Sequence, residues 1–228
     1  MDDKNHKLLK CIDMQVQSAL WECCPPDFIG KVLGNEDYFQ LLECIFSDAD
    51  AFEKKDPASK NRILSILQSY TSFKAILHYR IANFIYKEIL DNNKEEFALL
   101  VSNRGKLLSG ADIHFKAEVG QSLVLDHGYN TVIGETSKIG NDCYILGGVT
   151  LGACGVANNK NTKRHPTIGN NVEIGAFSRI LGNISIGDNV FIGSNCTIIE
   201  DVHANTKVVS ITSNQITKKR DYAIRNDK

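Results

Sequence analysis

The chain has 228 residues, 43% of them hydrophobic, and its 26 Lys plus Arg nearly balance 27 Asp plus Glu. That balance gives no electrostatic footprint for nucleic acid or for an anionic membrane. The start, Met1 to Lys10, is polar and no apolar run is long enough to span a bilayer, so neither a signal peptide nor a membrane segment is expected, and the reading is cytoplasmic.

Residues 1–110 read as an α-helical domain. Leu8, Leu9, Ile12, Val16 and Leu20 recur at helical spacing until Pro25-Pro26 stops them. Phe39, Leu41, Leu42, Ile45 and Phe46 form a second apolar cluster. Asp56-Pro57 reads as a helix start, with Asp as N-cap and Pro at the first helical position. Ile63, Leu64, Ile66, Leu67 and Tyr70 follow it. Phe73, Ile76, Leu77, Ile81, Phe84 and Ile85 mark a further amphipathic helix, and Lys94–Asn103 a last one.

From Ala111 the pattern changes. Thirteen of the 17 glycines lie beyond this point, and the apolar period becomes six. Ile113, Val119 and Leu125 are six apart. After a slip of two come Ile133, Ile139, Ile145 and Leu151, and later Ile168, Ile174, Ile180, Ile186, Ile192 and Ile198. A period of six is the hexapeptide signature of a parallel β-helix, in which each repeat is one short strand and a turn and three repeats make a triangular coil. The aliphatic residue points into the prism, and the Gly that often follows sits where a side chain would crowd the corner. Thirteen such positions give four to five coils over residues 111–210, with 211–228 as a tail. The step from Leu151 to Ile168 is seventeen residues, so the segment 152–167 is an extruded loop. It carries Lys160, Lys163, Arg164 and His165, and loops on a rigid scaffold are where binding groups are commonly displayed.

Seven cysteines, at 11, 23, 24, 44, 143, 154 and 196, contain no CxxC pair and read as free thiols of a reducing compartment. No metal site is expected. Of the six histidines, His127 suits a general base: it follows Asp126 at the two-residue slip, where the coil is irregular. Asp112 lies 15 residues earlier, close to one coil, near enough for its carboxylate to accept a bond from the imidazole. Arg164 offers a planar guanidinium that matches an amino-acid carboxylate. His165 could orient a hydroxyl or stabilise an oxyanion.

The segments Ala111-Asp-Ile-His114, Leu125-Asp-His127, Val132-Ile-Gly-Glu-Thr136, Gly148-Val-Thr-Leu-Gly152, Arg164-His-Pro166, Ile174-Gly-Ala176 and Ile180-Leu-Gly-Asn183 together resemble the serine O-acetyltransferase family of hexapeptide-repeat acyltransferases. Asp56-Pro57-Ala58 and Tyr79-Arg80-Ile81 resemble that family's helical cap. The resemblance implies a left-handed coil, and acetyl transfer from acetyl-coenzyme A to the hydroxyl of L-serine by direct attack, without metal. It assigns His127 as base with Asp112 behind it, and puts Arg164 and His165 at the substrate, with Asp126 and Asp56 holding its ammonium group. Coenzyme A is expected along the coils near Gly152, Ala153, Gly175, Ala176, Gly193 and His203. A homotrimer or a dimer of trimers is implied, with sites in grooves between subunits.

This chain departs from the family at Gly128-Tyr129-Asn130, which puts a large aromatic, Tyr129, beside the expected pocket. Phe115 stands where the family has Pro. The tail lacks the terminal Ile that docks the partner sulfhydrylase, which argues against a cysteine synthase complex. The departures keep open a different hydroxylated acceptor, such as homoserine, a modified serine or a sugar, and a catalytically inactive scaffold.

Overall fold

The structure, a computed structural model, describes residues 3–59, 62–155 and 162–211. Lys160 and the tail from 212 onward lie outside the described residues. The helices are α1 (Asp3–Cys23), α2 (Pro26–Leu33), α3 (Tyr38–Lys55), α4 (Ile63–Ser69), α5 (Thr71–Glu88) and α6 (Lys94–Ser109). Pro25-Pro26 separates α1 from α2, with Pro26 in the first turn of α2. The expected helix start at Asp56 is corrected. Asp56 ends α3, and its Oδ1 accepts the Ala58 N–H at 2.8 Å to cap only a 3₁₀ turn, Pro57–Ser59. The next α-helix begins at Ile63. α6 runs six residues past the expected Asn103 and stops at Gly110, whose φ of 73° is the left-handed conformation that ends helices cheaply only without a Cβ.

Fourteen short strands follow among the described residues, and they wind into five coils. The first coil is β1 (Asp112–Ile113), β2 (Glu118–Val119) and β3 (Val124–Asp126). The second is β4 (Val132–Ile133), β5 (Lys138–Ile139) and β6 (Tyr144–Leu146). Next come β7 (Thr150–Gly152), β8 (Thr167–Ile168) and β9 (Glu173–Ile174), then β10 (Arg179–Leu181), β11 (Ser185–Ile186) and β12 (Phe191–Ile192). The last coil has β13 (Thr197–Ile198), a bridge of Val202 to Ile186, and β14 (Lys207–Val208). All pairings are parallel and sort the strands into three faces: β1-β4-β7-β10-β13 (face A), β2-β5-β8-β11 (face B) and β3-β6-β9-β12-β14 (face C). The fold is thus a helical bundle followed by a parallel β-helix.

The period-six aliphatics fill the prism. Ile133, Ile145, Leu151, Ile174, Ile180 and Ile192 are at most 1% exposed, each burial contributing about 2 kcal/mol. Cys143 and Cys196 belong to the same interior. The glycine after Ile174 is required by stacking, because a Cβ on Gly175 would run into the backbone of Gly193 and Ser194 in the next coil.

The helices close the open end of this stack. In the second coil, the carbonyls of Ile133, Ser137 and Ile139 accept from His114, Glu118 and Gly120 of the first. The equivalent carbonyls of the first coil have no coil before them, and helical side chains supply the donors instead. Ser102 Oγ donates to Ile113 O, Tyr79 OH to Ala117 O at 2.7 Å and Arg80 Nη1 to Val119 O at 2.8 Å. Asn83 Nδ2 serves Phe115 O and Ala117 O. Arg80 is fixed by a bidentate pair with the fully buried Asp48, whose Oδ1 also accepts the Leu123 N–H.

Candidate active site

One end of the candidate set lies where face C turns into face A. The first coil has a register of twenty residues, Asp112↔Val132, against eighteen for Val132↔Thr150. The two extra residues fall between β3 and β4, and they swing His127 outward. Its φ is 59°, in the left-handed region that few non-glycine residues adopt, and its side chain is 84% exposed. Asp126, at the end of β3, stays half-buried with its Oδ1 4.0 Å from His127 Nε2. Tyr144 OH, one coil on, donates to Asp126 Oδ2 at 3.0 Å, while Tyr70 OH donates to Asp56 Oδ2 at 3.1 Å. Burial and the bonded carboxylate raise both phenols above the ordinary tyrosine range, so both stay protonated donors. Asp56, Ala58, Ser69, Tyr70, Ser72, Asp126 and His127 line a cavity of about 350 Å³ between the helices and this corner. Two carboxylates and an imidazole converging on one cavity suit a small cationic ligand with an acidic proton nearby.

The other end lies where face A turns into face B. The loop between β7 and β8 returns here, and Thr136 receives it: its Oγ1 accepts the N–H groups of Arg164 at 3.0 Å and His165 at 3.1 Å. Lys163 Nζ donates to the carbonyls of Thr136 and Pro166. Arg164 Nη2 pairs with Glu135 Oε2 at 2.5 Å, which holds the Glu135 carboxyl below its usual range. His165 is 8% exposed, and its ring lies on Gly134, where a Cβ would occupy the space of its Cδ2 and Nε2. Burial, with Arg164 and Lys163 alongside, pushes the His165 imidazole below its ordinary value. His114, stacked on Phe115 with centroids 4.7 Å apart, lies at the same corner of the first coil.

The expected residues therefore fall into two groups on opposite edges of face A. His127, Asp126 and Asp56 share the cavity; Arg164 and His165 do not reach it within one chain. The expected bond between Asp112 and His127 is not made: Asp112, on β1, accepts from Lys106 Nζ at 2.6 Å instead. Tyr129 does not line the cavity. It is 73% exposed, and its ring covers Gly110, where no Cβ would fit. The six positions expected at coenzyme A do not converge. Gly152 ends β7 and Ala153 follows it, at the A-to-B corner. Gly175, Ala176 and Gly193 lie at the C-to-A corner, and exposed His203 lies between faces B and C. Tyr70 and Tyr144 were not expected at the site, and no spacing signal marks them. Glu135 and Thr136 lie within the quoted Gly-Glu-Thr segment, which is where a role could have been sought. Among the described residues no three His, Cys, Asp or Glu side chains are grouped to hold a metal, and no helix is long and apolar enough to cross a membrane.

Residues 165–200 match the bacterial transferase hexapeptide (six repeats) family. The serine acetyltransferase of Synechococcus elongatus is 39% identical over 171 residues, 75% of this chain and 67% of that protein. That of Helicobacter pylori is 38% identical over 167 residues, 73% of this chain and 93% of its own length. A serine acetyltransferase solved in complex with CoA superposes with a TM-score of 0.72 at 28% identity, over 90% of this chain and 82% of the other. Identity of 38% over 93% of a relative's own length shows that the chain belongs to the serine acetyltransferase family and is an acyltransferase.

Proposed function

We propose that this enzyme moves the acetyl group of acetyl-coenzyme A onto the side-chain hydroxyl of L-serine, giving O-acetyl-L-serine for cysteine biosynthesis. The observation that carries the reading is the cavity in which Asp56 and Asp126 face the exposed imidazole of His127. Serine's ammonium group sits between the two carboxylates, each already oriented by a phenol. His127 takes the hydroxyl proton as the oxygen attacks the thioester carbonyl. The tetrahedral intermediate collapses, the C–S bond breaks, and the sulfur leaves with the proton returned by the imidazolium. Arg164 takes the substrate carboxylate and His165 donates to the developing oxyanion. Asp112 supports His127 after releasing Lys106. The CoA-bound family structure supports acetyl-coenzyme A as donor.

Arg164 and His165 belong to a different corner from His127, so a neighbouring chain completes each site. Three chains, each presenting its A-to-B corner to the next chain's C-to-A corner, close a ring; this is the homotrimer, alone or paired through the helices. The free thiols Cys11, Cys23, Cys24, Cys44, Cys143, Cys154 and Cys196 support a reducing, cytoplasmic setting. A different acceptor is less well supported, because Tyr129, the departure that suggested one, lies against Gly110 outside the cavity.

Turnover on a panel of serine, homoserine, threonine and an amino sugar, followed by thiol release, tests the reading. Serine is the preferred acceptor, and His127→Ala lowers kcat by roughly 10²–10⁴-fold with little change in serine KM. Equal, slow turnover by the wild type and the variant would instead indicate a scaffold.

A further inference from the structure

We propose that Thr136 is a positioning residue that fixes His165 as a neutral ring carrying its single proton on Nε2. The inference rests on the reading of His165 as a substrate-facing donor, and it deepens that reading. The backbone N–H of Thr136 points at His165 Nδ1 at 3.1 Å. A backbone N–H can only donate, so Nδ1 must present its lone pair. The Thr136 hydroxyl agrees: its Oγ1 accepts the N–H groups of Arg164 and His165, which uses both lone pairs. Its own proton is left for His165 Nδ1, 2.8 Å away.

Two donors on one residue thus hold the same ring nitrogen. Adding a proton to Nδ1 would set an N–H against both, in a residue that is 8% exposed. The charged and titratable groups facing the ring are Arg164 and Lys163 from the loop, Glu135 from the second coil and His114 from the first. The two cations outweigh Glu135, in the same direction as burial. Among the described residues Nε2 has no hydrogen-bond partner, so its N–H is available to a ligand. His165 is therefore built to donate, and unsuited to act as the base. His127 is exposed and has no such lock.

Imidazole-labelled protein and a long-range ¹H–¹⁵N spectrum between about pH 5 and 8 read the tautomer directly. His165→Gln assigns the signal by its loss. The wild type shows one tautomer, protonated at Nε2, that resists conversion to imidazolium. Thr136→Val keeps the backbone donor but loses the hydroxyl donor and the Oγ1 acceptor of the Arg164 and His165 N–H groups, so the His165 ring keeps its Nε2 proton but converts to imidazolium at higher pH, and serine acetylation falls about 10–100-fold. Thr136→Ser restores the resistance to imidazolium formation and most of the rate. A wild-type ring protonated at Nδ1, or a valine variant with unchanged titration, overturns the proposal. If the valine variant does not fold, the wild-type and serine spectra decide alone. A fixed Nε2–H ring in a protein that does not acetylate serine would leave this inference standing and remove the functional reading.

Discussion

His127 and His165 show how two identical side chains acquire different chemistry from their backbones. One stands on a left-handed residue at a corner lengthened by two and points into water. The other is folded onto a glycine and bonded from behind. The first placement was legible in the sequence, because the slip in the six-residue period marks it. The second was only half legible: Arg164-His165 stood out in a polar excursion, but nothing in the spacing tells which coil receives the loop. Likewise Asp112 could be put one coil from His127 by counting, whereas its pairing with Lys106 depends on how α6 ends. A third imidazole, His78, is held in the helical bundle with Nδ1 bonded to Lys74 O, and burial lowers its pKa. In the unfolded chain it titrates near the ordinary value of about 6.5. The folded state therefore binds fewer protons below that value, so stability is complete above it and is lost as pH falls toward the lower folded pKa. Melting temperature against pH should decline below about 6.5, and His78→Leu should flatten part of the decline. An unchanged acid limb in that variant would remove His78 from the account.

The junction between bundle and coil is the least legible element. Hexapeptide spacing foretold the strands well, since a prism that must bury one aliphatic per repeat leaves a strong period. It could not foretell that Tyr79, Arg80 and Asn83, one turn of α5, would meet the carbonyls of the first coil. That information lies in a docking geometry rather than in any local pattern. Asp56 failed for a related reason: the Asp-Pro signal is real, but Ala58 takes up the carboxylate after only a 3₁₀ turn, and Tyr70 competes for its other oxygen. Because Arg80 both neutralises Asp48 and serves Val119 O and Gly120 O, removing it leaves a buried carboxylate without its counter-ion and two carbonyls without this donor. Arg80→Ala should cost about 3–5 kcal/mol in urea unfolding. A loss below about 1 kcal/mol, the range of a surface pair, would show that the junction opens to water.

For the whole molecule, the separation of His127 from His165 across face A sets the decisive experiment. Co-expression of His127→Ala with His165→Ala should return about a quarter of the wild-type activity if random mixing places intact halves side by side at interfaces between unlike surfaces. Each variant alone should be nearly inactive. No recovery in the mixed assembly would place both groups on one chain's site. The loop that carries His165 has a wider bearing. Strands β7 and β10 pair in register as Thr150↔Arg179, although this winding takes twenty-nine residues against the eighteen of Val132↔Thr150. The ladder is indifferent to how much chain leaves at a vertex, provided it comes back to the same rung. Chemical equipment can therefore be lengthened, shortened or exchanged at the vertices during descent while the aliphatic column keeps its fit, which separates the evolution of reactivity from the maintenance of the frame.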